Sequence, residues 1–423
     1  MEKTMGRVFQ RAEILLPYDC DMTKWSVIAC DQFSSQPEYW AALEQQCEGV
    51  PSTLHLMLPE AYLERCDQLT EAQRINTEMK RYLDEGVFRV LPESYVYVER
   101  TLQNGVLRRG LLGVLDLEAY DFAPDSTSPV RATEGTVESR LPLRVRVRAG
   151  AALEMPHIMV FIDDPAGVVI PPLTEQKAAL PPLYDFALSA GGGHIAGWQV
   201  SGATADAVDR AVDTLFDPAV LRERCGDAAP VVFAMGDGNH SLATAKRCWE
   251  QLKPQLDAAE RETHPARYSL VELVNIHDPA ITFEPIHRCI FETDPTEFLR
   301  AGAAALAAAS AGAGAAHTVR LVTAAGEQRV EPRGLSIGAL IGAAERFCQE
   351  YIARHGGRID YVHNDDTALS LGQKPDSAAL LLPKMEKAEL FPSIVRSGPF
   401  PKKSFSIGKA EDKRYYLECR RIQ

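Results

Sequence analysis

From Val231 to Lys246 the chain reads Val-Val-Phe-Ala-Met-Gly-Asp-Gly-Asn-His-Ser-Leu-Ala-Thr-Ala-Lys, and its hydrophobic period changes in the middle. The apolar run stops at Gly236, as a buried strand would, and Leu242, Ala245, Trp249 and Leu252 then recur at helical spacing. A buried strand feeding directly into an amphipathic helix is an α/β unit, so a sheet flanked by helices is expected around it. Gly236 and Gly238 allow backbone angles that other residues avoid, and Asn239 or Ser241 is expected to cap the first helical turn. Such a turn presents backbone N–H groups at the positive end of a helix, with Asp237 and His240 beside them, which suits a phosphate or carboxylate. The same residues also describe a plain strand-to-helix corner, since Gly-x-Gly turns are common.

The remainder divides by period. Helices are expected from Glu38 to Cys47, from Glu60 through Ile75, Met79 and Leu83 to a stop at Gly86, and from Thr204 to Phe216. Tyr95 to Arg100 and Arg109 to Asp116 read as paired strands joined by a turn containing Asn104-Gly105. Ile158 to Asp164 and Tyr268 to His277 read as strands ending in polar residues, and His277, Glu284, His287 and Arg288 lie near strand ends, where mixed sheets build sites. The strict alternation of Leu143-Arg-Val-Arg-Val-Arg148 predicts a strand with Arg144, Arg146 and Arg148 on one face, either solvated or lining an anion cleft. Arg131 to Arg140 is almost wholly polar and is either a surface loop or a site segment carrying Arg131, Glu134 and Arg140. Residues 301–316 are nearly all Ala, Gly and Ser, which gives a featureless helix or a connector. A basic loop from Ser397, with Lys402 and Lys403, precedes a final strand.

A chain of 423 residues exceeds one ordinary core, and the organisation expected is 1–200, 201–300 around the central turn, and 301–423. The formal charge of −13 argues against a nucleic-acid partner, because that binding depends on neutralising phosphates with Lys and Arg. Residues 1–10 are too polar for a signal peptide and no run reaches membrane-spanning length, so the expected location is cytoplasmic. Nine cysteines without a Cys-x-x-Cys pair fit reduced thiols better than disulfides or a structural zinc.

The segments Gly236 to Ser241, Phe283-Glu-Pro-Ile-His-Arg288, Arg131 to Arg140 and Pro401-Lys-Lys-Ser-Phe405 together resemble the prokaryotic family described as domain of unknown function 1015. The central loop also resembles the phosphate-binding turn of ParB/sulfiredoxin-like proteins, including free-serine kinases. This resemblance implies an α/β (α+β) fold, a mixed sheet with flanking helices and a ParB/sulfiredoxin-like core around the turn. Many family members carry Asp-Gly-His-His-Arg there; this chain keeps Asp237, Gly238 and His240, with Asn239 in place of the first histidine and Ser241 in place of the arginine. Without that guanidinium, Lys246, Lys402 or Lys403 is the candidate replacement charge.

The leading expectation is a phosphotransferase with ATP or ADP and magnesium, acting on a hydroxylated metabolite such as serine. Gly236, Gly238, Asn239, Ser241, Arg131, Arg140, Arg288 and Lys403 would hold the donor, and Asp237, His240 and Glu134 would carry the chemistry. A non-catalytic nucleotide or phosphometabolite sensor would use the same loop. A metal-dependent hydrolase would use His240, His277 and His287, whose spacing matches no recognised ligand motif; no resident metal site is assigned. The expected partner is a small-molecule substrate, not a nucleic acid or a membrane, and the oligomeric state is not legible.

Overall fold

The computed structural model describes residues 7–63, 65–136, 141–155, 157–314 and 316–423. The chain is an α/β protein built on a large mixed sheet. Its main path runs Pro182–Ala187, His194–Val200, Phe88–Thr101, Leu107–Asp116, Tyr268–Asn275, Met159–Ile162, Phe233–Asp237, Val130–Arg131 and Tyr120–Asp121. The hairpin of Phe88–Thr101 and Leu107–Asp116 forms where Asn104-Gly105 predicts it, with Gly105 at φ 79. Tyr268–Asn275 runs parallel to Met159–Ile162 and antiparallel to Leu107–Asp116, so the sheet changes sense at its centre.

In the central strands of this sheet, apolar side chains are buried on both faces. Tyr95, Tyr97, Leu111 and Leu273 pack on one side with Leu242, Ala245 and Trp249 of the helix Asn239–Leu252. Val96, Val98, Leu112 and Val114 pack on the other with Trp25 and Tyr82. Burial on both faces favours apolar residues at successive positions, as in the runs of these strands, and the charged residues buried there, Arg100, Arg108 and Glu272, are paired. A second sheet, Gly326–Val330, Val319–Thr323, Ser377–Leu381, His287–Phe291 and Arg358–Val362, packs with the helices Pro295–Ala308 and Ile337–His355.

The sheets do not follow the divisions expected at residues 200 and 300. Phe233–Asp237 and Tyr268–Asn275 belong to the same sheet as the N-terminal hairpin. The last residues return to the N-terminal half, with Tyr415–Tyr416 paired to Val27–Ile28 and Arg420–Arg421 paired to Leu153–Glu154. Segments distant in sequence therefore meet beside the central turn.

One local expectation is corrected. Leu143 to Arg148 lies within a helix, Leu141–Ala149, not a strand. Arg144 and Arg148 are one turn apart in it and reach Glu60 and Glu154, and Val147 packs on the core; these tertiary contacts override the β preference of two valines. Residues 301–308 complete a helix starting at Pro295, with Gly302 and Leu306 buried, so this part of the Ala-rich stretch is a packing element. Among the described residues, no helix is long and apolar enough to cross a membrane.

Candidate functional site

The strand Phe233–Asp237 ends in a register shift opposite Met159, and the chain turns at Gly238 into the helix Asn239–Leu252. Both glycines are needed by close packing. A Cβ on Gly236 would stand 3.0 Å from the Phe161 ring, and one on Gly238 would stand 3.0 Å from the Ile158 Cα while φ is +78. Gly238→Ala is therefore expected to destabilise the fold by about 1–3 kcal/mol, as left-handed backbone strain does. Thermal unfolding checks this, and an unchanged melting temperature would show that the turn tolerates a side chain.

The expected side-chain cap is corrected by the structure. Gly238 itself is the N-cap, no side chain caps the helix, and Asn239 and Ser241 lie inside its first turn. The helix starts earlier than the apolar stripe alone indicates, so neither side chain occupies the capping position. Asn239 Oδ1 is buried and has no hydrogen-bond partner, although unpaired buried acceptors are costly. The helix has no side-chain cap and no acid within its first turn, and just before it the Asp237 carboxylate accepts the Gly238 N–H at 2.9 Å.

Gly236, Asp237, Gly238, Asn239, His240 and Ser241 line a cleft of about 1190 Å³. Its other walls include Asp31 and Gln32, the segment around Glu134, the stretch from Pro279 to Ile286, and the loop from Lys402 to Lys413. Lys402, Lys403, Lys409 and Lys413 all border it, and Lys413 Nζ lies 3.2 Å from Asp237 Oδ2. Lys403 adopts φ 56, a conformation that non-glycine residues rarely take, and its ammonium sits 4.7 Å from the centroid of the Tyr361 ring. Two buried arginines on the sheet anchor the loop carrying Lys413: Arg100 donates to the carbonyls of Glu411 and Lys413, and Arg108 to that of Asp412.

The carboxylates here differ in state. Burial pushes Glu134 from the ordinary 4.5 up to about 7, helped by the charge of Asp237 and opposed by the Ser404 N–H, Lys413 and Arg288. Its backbone is fixed by pairing with the Phe400 segment, where Phe400 N–H donates to Thr133 O at 2.7 Å. Burial acts upward on Asp31 too, but His157, a hydrogen bond from Gln32, Lys413 and Arg144 outweigh it and hold that carboxyl below its usual value. His157 Nε2 is 3.9 Å from Asp31, and its Nδ1 is 3.0 Å from the Tyr416 hydroxyl. Burial and the charges of Lys403 and Lys413 lower the pKa of His363, which also borders the cleft. One carboxyl poised near neutrality and one held ionised border the same cleft, a division that can separate proton transfer from charge stabilisation.

Not every expected residue reaches this cleft. Arg131 turns away and donates to the carbonyls of Ser128 at 2.8 Å and Ala229 at 2.9 Å, bracing a loop instead of an anion. Arg288 is buried against Glu345 at 3.0 Å and acts on Glu134 only through its charge. Lys246 points to Leu117 O and Glu250, both at 2.8 Å, and so supplies no replacement for the arginine of the family loop. Arg140 lies outside the described residues. The histidines proposed for a hydrolase are not gathered: His277 pairs with Asp163 at 2.7 Å and His287 with Asp365 at 2.9 Å. Among the described residues no group of three His, Cys, Asp or Glu side chains could hold a metal ion.

Asp31, His157, Lys409 and Lys413 escaped the sequence reading. Asp31 carried one usable signal, an acid closing a short apolar run. Lys409 and Lys413 sit in a plainly basic stretch whose direction only the buried arginines decide.

Residues 16–365 match the family described as Protein of unknown function (DUF1015). No curated protein matches the chain. Among solved structures, it is similar to a free serine kinase in complex with AMP, at 10% identity and a TM-score of 0.35, over 73% of this chain and 90% of the other. A conserved hypothetical protein from Pyrococcus furiosus is similar at 10% identity and a TM-score of 0.32, over 72% and 97% of the two chains. SbnI from Staphylococcus aureus, truncated at its C-terminus, is similar at 10% identity and a TM-score of 0.33, over 70% and 82%.

Proposed function

The chain belongs to the DUF1015 family, and from that premise we propose that its cleft is the active site of a small-molecule phosphotransferase, with ATP or ADP as donor and a hydroxylated metabolite as acceptor. The observation that carries this reading is a single juxtaposition: an uncapped helix N-terminus, a group of lysines and a carboxyl group titrating near neutrality border one polar cleft. Donor phosphates would rest against the first-turn N–H groups of Asn239–Leu252, where the helix dipole favours negative charge. Lys402, Lys403 and Lys413 would offset the remaining charge in place of the absent arginine.

Glu134 then accepts the proton of the acceptor hydroxyl. The hydroxyl oxygen forms a bond to the terminal phosphorus, the bond to the bridging oxygen breaks, and its electron pair leaves on the nucleotide. Asp237, held by Lys413, and His240 border the same space and would orient the reacting groups. Magnesium, when bound to the nucleotide, supplies charge neutralisation. Because the described residues form no resident ion site, no step is assigned to it.

Phosphorus NMR of the protein with ATP or ADP, magnesium and a panel of amino acids and small alcohols tests this reading. A new phosphate ester appearing with an acceptor is expected. Nucleotide that binds but is never consumed would make the protein a sensor, and nucleotide that does not bind would remove the reading altogether.

A further inference from the structure

Beside the polar cleft lies a smaller chamber of about 180 Å³, walled by Leu56, Met57, Met79, Leu153, Met155 and Ile158. Arg144, His157 and Ser241 line both spaces, so the chamber borders the cleft at the first turn of the helix Asn239–Leu252. Its size is that of a site for one small ring or branched chain, since apolar cavities of about 150 Å³ accept benzene.

Apart from the Ser241 hydroxyl, most polar groups in its wall already have partners within the protein. Glu154 is held by Arg148 at 2.6 Å, Arg420 at 2.7 Å and the Leu270 N–H at 2.8 Å. Glu60 pairs with Arg144. The Tyr416 hydroxyl contacts Cys30 Sγ at 3.1 Å and His157 Nδ1 at 3.0 Å, and the Thr244 hydroxyl donates to His240 O at 2.7 Å. A nucleobase entering this chamber would lose water and find few hydrogen-bond partners, whereas an apolar group loses nothing by entering.

We propose that this chamber is the acceptor subsite, and that the acceptor is an alcohol whose hydroxyl is carried on a small aromatic or branched aliphatic group. The proposal rests on the phosphotransferase reading for the word acceptor, but the chamber's preference for an apolar group stands apart from it. It also separates the acceptor from free serine, which has no apolar group to place there.

Met57, Met79 and Met155 supply a readout independent of turnover. In protein labelled at methionine methyl groups, titration with 2-phenylethanol is expected to shift the signals of these three, and ethanol at equal concentration is expected to leave them in place. Ala151, which also lines the chamber, is buried, so Ala151→Leu narrows it and is expected to weaken the 2-phenylethanol response at least tenfold. Absence of these shifts in the unaltered protein overturns the proposal even if the variant fails to fold. Larger shifts with adenosine than with 2-phenylethanol also overturn it, by making the chamber a base pocket. In the transfer assay 2-phenylethanol should have a KM at least tenfold below that of ethanol. Failure of ADP to bind would remove the phosphotransferase reading while leaving the methionine result to decide the chamber.

Discussion

Replacing Glu134 by Gln is expected to lower kcat for phosphoryl transfer by about a hundredfold to ten-thousandfold, the range that a positioned general base contributes. The substitution keeps the size and the Ser404 N–H contact and removes only the titrating group. In the unaltered protein, activity should rise with pH up to about 7 and then level, because the base is competent only when ionised. The Gln variant should lose that limb. A variant that kept both the limb and the rate would remove Glu134 from the chemistry.

Stability gives a second, independent sign. The folded state holds the Glu134 proton up to about pH 7, whereas an ordinary carboxyl releases it near 4.5, so the folded state binds more protons between those values. Its stability therefore falls as pH rises through that window, and the cost is fully present above about 7. Glu134→Gln removes it. The variant should gain about 3 kcal/mol relative to the unaltered protein between pH 4.5 and pH 8, measured by urea unfolding at each pH. A merely structural carboxylate, paired and ionised, would show the opposite trend.

Glu272→Ala is expected to cost about 3–5 kcal/mol, the penalty for breaking a buried ion pair from one side. Glu272 is 1% exposed and contacts Arg414 at 2.5 Å and Arg108 at 3.8 Å. Arg414 also reaches Glu418 at 2.7 Å, and Glu418 accepts from the Tyr184 hydroxyl at 2.5 Å. Burial lowers the pKa of Arg100, with Arg108 adding to the effect, to about 9, so the cluster already carries cations at a cost. Removing one carboxylate leaves them less compensated. For Glu272 itself, burial acts upward, but Arg414, Arg108 and Arg100 outweigh it and depress the pKa. Its contribution is thus present at neutral pH and lost as pH falls below the ordinary carboxylate range, opposite in sign to Glu134. Because Arg100 and Arg108 anchor the loop bearing Lys413, the variant should also bind ADP more weakly. Unfolding that changes by less than about 1 kcal/mol would show the cluster to be solvated.

The central turn was legible because it depends on local chemistry. A period change at Gly236, two glycines and the Leu242, Ala245 and Trp249 stripe specify strand, turn and helix within about twenty residues. The Asn104-Gly105 hairpin was legible for the same reason. Glu134 could be singled out because a polar stretch with both charges stands out against apolar neighbours, but its placement at the cleft depends on pairing with Phe400. Arg131 shows the limit: its sequence neighbourhood is equally polar, yet two carbonyls nearly a hundred residues away claim its guanidinium.

Leu141–Ala149 shows the same limit in the backbone. An Arg/Val alternation suits a strand locally, and only the partners Glu60 and Glu154, reached from a helix, decide otherwise. Sequence alone determined which segments alternate and which turn, since those follow from neighbouring residues. Tertiary structure alone decided that Asp31, Glu134, His157, Asp237 and Lys413 share one cleft, because burial and charge at each depend on chain that lies far away in sequence.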